Sequence, residues 1–266
     1  AVGERLPGGN RIDAAPELPP PAVRRRAEIM RQALGSCEAL VAPLPFVAEA
    51  YVEFGVRADA LEVVEPGMDV GAWPRLPRPA REPGRALRIG YIGSLMRHKG
   101  VDTLLEALAL VASRDVELQL HGFVVPGDPY GDALRRSAGR DRRVRWMGPY
   151  EQVDLPGVLA GIDVLAMPAR WHETFSFVTR EAVLAGVPVL AADMGGMRHA
   201  VRDGANGRLL PADRPEAWAA AIESAAADAG SVARMSEACA RWPVRGIDED
   251  AAELVGLYRR ALVGRA

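Results

Sequence analysis

Lysine is almost absent from this chain of 266 residues: of thirty-three basic side chains, only Lys99 is a lysine. Cysteine is scarce too. Cys37 and Cys239 lie far apart, which excludes a disulfide framework and any metal-binding spacing, and leads us to expect a reducing, cytoplasmic setting. No apolar run reaches the ~18 residues that a spanning helix needs. The first ten residues carry Gly, Pro and charge where a signal peptide would need an apolar core. The formal net charge is only −2, too small for a long-range pull toward nucleic acid or an anionic bilayer. What remains is ordinary for a water-soluble α/β chain, at 49% hydrophobic and 26% charged residues. A contact peripheral to a membrane stays open.

Residues 74–85 hold four prolines and four arginines with no apolar periodicity, a linker composition. Before them, residues 20–33 read as a helix, 39–42 as a strand, 45–54 as a helix and 61–64 as a strand. These pieces are thin for a core of their own, and residues 1–73 are expected to be the end of a larger Rossmann-like domain. After the linker comes a regular alternation. Strands are expected at 87–92, 116–120, 144–147, 164–167, 188–191 and 207–210. Helices are expected at 101–112, 155–160, 177–185, 197–202, 215–227, 232–240 and 248–262. Near-continuous apolar strands alternating with amphipathic helices predict a parallel sheet covered on both faces. The fold class is therefore α/β: a Rossmann-like domain over residues 86–247, a partial second α/β domain before it, and a last helix over 248–266 returning to that N-terminal part. In such sheets ligands sit at the carboxyl ends of the strands, and His98, His121, His172 and His199 all fall at or near that edge.

The loop after the first of these strands, Gly93-Ser94-Leu95-Met96-Arg97-His98-Lys99-Gly100, matches neither GxGxxG nor GxxxxGK[ST]. It still has what a diphosphate wants: glycines for close approach, a helix N-terminus with free N–H groups, and two cations, Arg97 and Lys99. The bland alternative is a solvated basic turn. A lone lysine kept in an arginine-rich chain favours the phosphate reading, since an ammonium and a guanidinium are not interchangeable.

The second informative stretch is Pro168-Ala169-Arg170-Trp171-His172-Glu173-Thr174-Phe175-Ser176-Phe177-Val178-Thr179-Arg180-Glu181. Glu173 lies in a loop and Glu181 about one turn inside the next helix, so two carboxylates can meet one elongated ligand at different points. Main-chain N–H groups of Phe175, Ser176 and Phe177 are expected to face it as well. An ionised carboxylate only accepts hydrogen bonds, which suits ribose or hexose hydroxyls. Taken singly, Glu173 as a helix cap and Glu181 as a solvent-facing acid are the more ordinary readings. Trp171 and His172 either line a sugar pocket or pack under the loop.

E-T-F-S-F-V-T-R-E resembles the E-x-F-G-L-x-x-x-E signature of retaining glycosyltransferases of the GT-B fold, specifically family 4. IGYIGSLMRHKGVDTLLEALALV looks like that family's first donor-domain strand, loop and helix, and residues 144–222 look like the rest in order and spacing. EPGMDV stands where the family often has a PNGVD-like turn. The resemblance covers residues 30–264. It implies a sugar donor that is a UDP-, GDP- or other nucleoside diphosphate conjugate, with no cofactor and no metal. Lys99 and a nearby arginine, Arg97, would clamp the diphosphate, Glu181 would hold the ribose and Glu173 the donor sugar. Gly93, Ser94, Gly122, His172, Thr174, Phe175, Ser176 and Phe177 would line the donor site, with Gly148 and Tyr150 against the base. The acceptor (glycan, lipid or small molecule) is unknown, and residues orienting it would belong to an acceptor domain supplied separately.

Three positions depart from the family: Ser94 stands for arginine, Ser176 for glycine and His199 for glutamate. Nothing in the chain reads as a nucleophile with its base, which suits attack guided by the leaving group. The alternative is a binding half that holds nucleotide sugar and transfers nothing. Asp248-Glu249-Asp250 mimics a metal-binding D-x-D but opens a helix, where acids suit the dipole. Arg135, Arg136, Arg140, Arg142 and Arg143 read as a solvated basic face.

Overall fold

A computed structural model describes residues 20–73, 75 and 77–263. The chain divides into two units: residues up to Val70 together with those from Val244 onward, and Gly71–Pro243.

In the first unit, α1 (Pro20–Gly35) leads to β1 (Leu40–Ala42), α2 (Pro45–Glu53) and β2 (Leu61–Val63). β1 and β2 run parallel, Leu40 opposite Leu61. Proline begins α2 at a position whose N–H would have no helical partner anyway. The last helix, α10 (Ile247–Val263), joins this unit through backbone: Met68 N–H donates to Arg245 O at 2.9 Å and Ile247 N–H to Met68 O at 3.0 Å. Gly67 is needed there, since a Cβ would stand 2.4 Å from the Gly246 carbonyl oxygen. Asp250, in the acidic first turn of α10, accepts from the Gly67 N–H at 3.0 Å.

The second unit contains β3 (Leu87–Ile92), α3 (Val101–Leu110), β4 (Val116–His121), α4 (Pro129–Ala138), β5 (Val144–Gly148), α5 (Leu155–Ala160), β6 (Val164–Met167), α6 (Phe177–Leu184), β7 (Val189–Ala192), α7 (Met197–Ala200), β8 (Gly207–Leu210), α8 (Pro215–Ala227) and α9 (Ala229–Arg241). Its six strands are parallel in the order β5-β4-β3-β6-β7-β8. β6 and β7 are buried at every position, as strands covered on both faces must be. α3 packs against α8 and α6 against α9, with Trp218 of α8 fully enclosed. This is the doubly wound arrangement in which the chain moves outward from β3 in one direction, then returns and continues from β6 in the other. The loops after β3 and β6 therefore open beside each other at the middle of the carboxyl edge.

Two expectations need correction. α4 has no counterpart in the sequence reading of residues 121–143, although its buried Tyr130, Leu134 and Ala138 stand at helical spacing and Asp128-Pro129 marks its start. The stretch at 74–85 is irregular as expected, but its described arginines are tied into the second unit. Arg78 donates to Ile162 O at 2.6 Å, Leu159 O at 2.8 Å and Ala185 O at 3.4 Å, which lie at the C-terminal ends of α5 and α6. Arg85 forms a two-pronged pair with Asp163 at 2.7 and 2.8 Å. Within the basic cluster, Arg135, Arg136, Arg140 and Arg142 are exposed, whereas Arg143 turns inward to the carbonyls of Val111 and Ser113 at 2.8 and 2.9 Å.

Candidate donor site at the sheet switch point

The carboxyl ends of β3, β4 and β5 are stitched together by main chain. Gly93 N–H donates to His121 O at 3.0 Å and Gly122 N–H to Gly148 O at 2.8 Å. Gly122 has φ +155°, and a Cβ there would lie 1.8 Å from the Gly93 oxygen, so position 122 cannot carry a side chain at that crossing. The Tyr91 hydroxyl, buried beneath, donates to Ser94 O at 2.7 Å and sets the path of the first loop. That loop closes in a single 3-10 turn, Arg97–Lys99, before α3.

Lys99 and Glu173, 74 residues apart in sequence, meet as an ion pair through Nζ and Oε1. Their side chains are 22% and 18% exposed, so the pair is shielded yet reachable. Several contacts hold the two loops together. Arg170 N–H donates to His98 O at 2.8 Å, and its guanidinium reaches Asp102 at 2.8 and 2.9 Å, Thr103 Oγ1 at 2.8 Å and Asp213 at 2.6 Å. The backbone of Glu173 is fixed as well, donating to Trp171 O at 2.9 Å and accepting from Gly196 N–H at 2.6 Å. The loop after β7 thus joins the site through Gly195 and Gly196, where any Cβ would stand within 2.9 Å of the Glu173 and Phe175 main chain.

Glu181, inside α6, takes a different neighbour: Gln152 Nε2 donates to its Oε1 at 3.0 Å. Burial pushes its carboxyl above the ordinary 4.5, with the Gln152 amide pulling the other way. Tyr150 lies close enough for burial and the Glu181 charge to raise its hydroxyl. Burial, together with Tyr130, Glu173 and Tyr150, raises Tyr91 as well.

The remaining expected residues fall as follows. Arg97 does not share Lys99's partner; its guanidinium lies 5.3 Å from the Tyr130 ring centroid. Ser94, His172, Gly148 and Tyr150 are half-buried, Thr174 is exposed and Phe175 is buried. Burial, with Arg198 nearby, lowers His172, and burial plus Lys99 lowers His98, so both rings favour the neutral form. Trp171 is 52% exposed and meets His98 edge-on at 6.0 Å, so it does not pack under the loop. Ser176, standing where the family motif has glycine, adopts φ 62°, a left-handed conformation that costs a residue with a Cβ about 1–2 kcal/mol. Its hydroxyl meets Thr179 Oγ1 at 2.7 Å, and Arg180 donates to the Phe175 carbonyl and covers that ring, which holds the turn. His199 is exposed on α7. Tyr91, Gln152 and Arg170 were missed from sequence: the tyrosine sat inside an apolar strand, and the other two act through partners distant in the chain.

A parallel doubly wound sheet whose switch point joins a lysine to a glutamate between glycine-lined loops defines an α/β domain of the nucleotide-binding kind. Comparison with known proteins agrees. The model of the family described as Glycosyl transferases group 1 matches residues 86–228, and this chain belongs to that family. The D-inositol 3-phosphate glycosyltransferase of Rhodococcus jostii is 30% identical over 267 residues, covering 93% of this chain and 57% of that protein. The enzyme of that name from Corynebacterium urealyticum is 32% identical over 231 residues, covering 80% and 53%. The chain thus spans somewhat over half the length of these relatives. Among solved structures, HepE of Anabaena in complex with UDP and glucose aligns with a TM-score of 0.79 at 21% identity, over 89% of this chain and 67% of that one. Sucrose-phosphate synthase of Thermosynechococcus elongatus aligns with a TM-score of 0.76 at 23% identity, over 91% and 62%. These likenesses establish the fold. Among the described residues, no helix is long and apolar enough to cross a membrane.

Proposed function

We propose that this chain binds a nucleoside diphosphate sugar at the switch point and serves as the donor side of a glycosyltransferase that retains anomeric configuration without a metal ion. The observation that carries the reading is the meeting of Lys99 with Glu173 near Tyr91, with Glu181 of α6 set beside Gln152 and Tyr150 of the loop after β5. Lys99 supplies the charge for the diphosphate, Glu173 accepts from donor-sugar hydroxyls and Glu181 from the ribose, with Gly148 and Tyr150 toward the base. As the bond from the anomeric carbon to the phosphate oxygen breaks, negative charge grows on the leaving diphosphate and Lys99 meets it where it develops. Stabilisation of that kind is usually the largest single contribution to catalysis. With no nucleophile and base paired at the site, the departing phosphate oxygen takes the acceptor hydroxyl's proton on the face that the acceptor attacks, which preserves configuration.

The named relatives make a phosphorylated cyclitol, D-inositol 3-phosphate, the first acceptor to test. The reading is tested by calorimetry with UDP, GDP and ADP and their glucose conjugates. Lys99→Ala is expected to weaken diphosphate binding at least about tenfold, the loss of one charge-assisted contact. Affinity equal to the wild type refutes the clamp. Transfer that persists in excess chelator, with the product's anomeric configuration matching the donor's by NMR, tests the rest.

A further inference from the structure

We infer that Glu173, by holding Lys99 in the free protein, makes this site select a sugar-bearing nucleotide over the bare nucleotide. The inference rests on the donor-binding reading above and adds an energetic consequence of the ion pair. Lys99 and Glu173 are each mostly shielded and each is the other's charged partner. The glutamate cannot leave with its loop: its N–H and C=O are both engaged, and Gly195 and Gly196 press against its backbone. Lys99, on a four-carbon stem at the end of a short turn, is the mobile member.

A diphosphate that recruits the ammonium therefore removes Glu173's partner. With a bare nucleoside diphosphate, the shielded carboxylate is left without a donor and faces new negative charge. Both effects oppose binding. A donor carrying its sugar offers hydroxyl protons to the vacated carboxylate oxygens and so offsets the loss. The exchange runs in reverse after transfer: once the sugar has left, Glu173 competes again for Lys99 and favours release of the nucleotide. The neighbouring groups do not pair with Glu173 in place of Lys99: Arg97 lies over the Tyr130 ring. His98 favours its neutral form beside Lys99, Tyr91 is a buried phenol, and Arg170 is already occupied by Asp102 and Asp213.

The test is Glu173→Gln, an amide of the same shape that cannot form the ion pair, with Glu173→Asp as the variant that keeps the charge. Thermal melting establishes that both fold. UDP, GDP and ADP and their glucose conjugates are titrated by calorimetry into wild type, both variants and Lys99→Met. Glu173→Gln is expected to bind the bare nucleotide about tenfold more tightly than wild type, the size of a lost penalty for an unpartnered shielded carboxylate. The advantage of the glucose conjugate over the bare nucleotide shrinks at the same time, and Glu173→Asp shows no such gain. Bare-nucleotide affinity that is unchanged or weaker in Glu173→Gln overturns the selection role while leaving the donor site intact. If Lys99→Met binds the glucose conjugates as tightly as wild type does, or no nucleotide binds any of the proteins, the donor reading itself fails.

Discussion

Gly100 is where the two halves of the candidate site touch most tightly, and replacing it by alanine isolates that contact. The residue has φ +70°, and a Cβ added to it would stand 2.1 Å from the carbonyl oxygen of Pro168 and 3.0 Å from its carbon. Ordinary contact lies near about 3.5 Å, so the loops after β3 and β6 would have to part by roughly 1.4 Å. Neither side yields easily, because one is the start of α3 and the other the end of β6, both buried. Overpacking of this kind costs about 1–3 kcal/mol, and alanine in a left-handed conformation about 1 kcal/mol more. Gly100→Ala should therefore destabilise the protein by about 3 kcal/mol, lowering Tm by roughly 6–12 °C for a unit of this size. Gly127→Ala is the control: it has φ +79° and nothing within 4 Å of its would-be Cβ, so only the conformational cost of about 1 kcal/mol applies. Urea unfolding followed by circular dichroism measures both. Because Lys99 immediately precedes Gly100, nucleotide affinity should fall with stability in the first variant and hold in the second. Equal destabilisation of the two variants would show that the loops part freely, and the argument for a fixed Lys99–Glu173 geometry would be wrong.

Arg78→Met should cost about 3 kcal/mol in the same unfolding assay, since a guanidinium serving carbonyls at the ends of two helices is lost, and Arg78→Lys should recover little because a point charge cannot span them. Full recovery by lysine would contradict the clasp. Glu181 titrates above its ordinary 4.5 because burial disfavours its charge, so its protonated form is favoured by folding; that stability is present at low pH and fades as pH rises through the raised value. Nucleotide binding runs the opposite way: it needs the carboxylate as acceptor, so affinity should fall as pH drops through that value, and Glu181→Gln should flatten the pH profile. A wild-type profile unchanged by the substitution would remove Glu181 from the ligand.

Much of the second unit can be read directly from the chain. β3, β6 and β8 have the expected bounds; β6 is an unbroken buried apolar run, and the other two are short, mostly apolar segments bounded by turn residues. The amphipathic stripe of α3 and the proline that opens α8 are equally local facts. α4 was legible and went unread: Tyr130, Leu134 and Ala138 recur at helical spacing behind Asp128-Pro129, although charged and small residues fill the rest of the helix. The arginines at 78, 81 and 85 read as linker because bonds to distant carbonyls and to the Asp163 carboxylate leave no mark in composition.

The sequence by itself determined which groups this protein can bring to a ligand: one lysine in a glycine-bounded turn and two glutamates eight positions apart. The tertiary structure decided which of them meet. β3 and β6 lie side by side only because β4 and β5 are laid down on the far flank, and that order is set by burial across the whole sheet. It brings Glu173 to Lys99 while leaving Glu181 to Gln152 and Tyr150. Local pattern specifies elements, whereas the pairing of charges separated by 74 residues depends on the packing that closes the space between them.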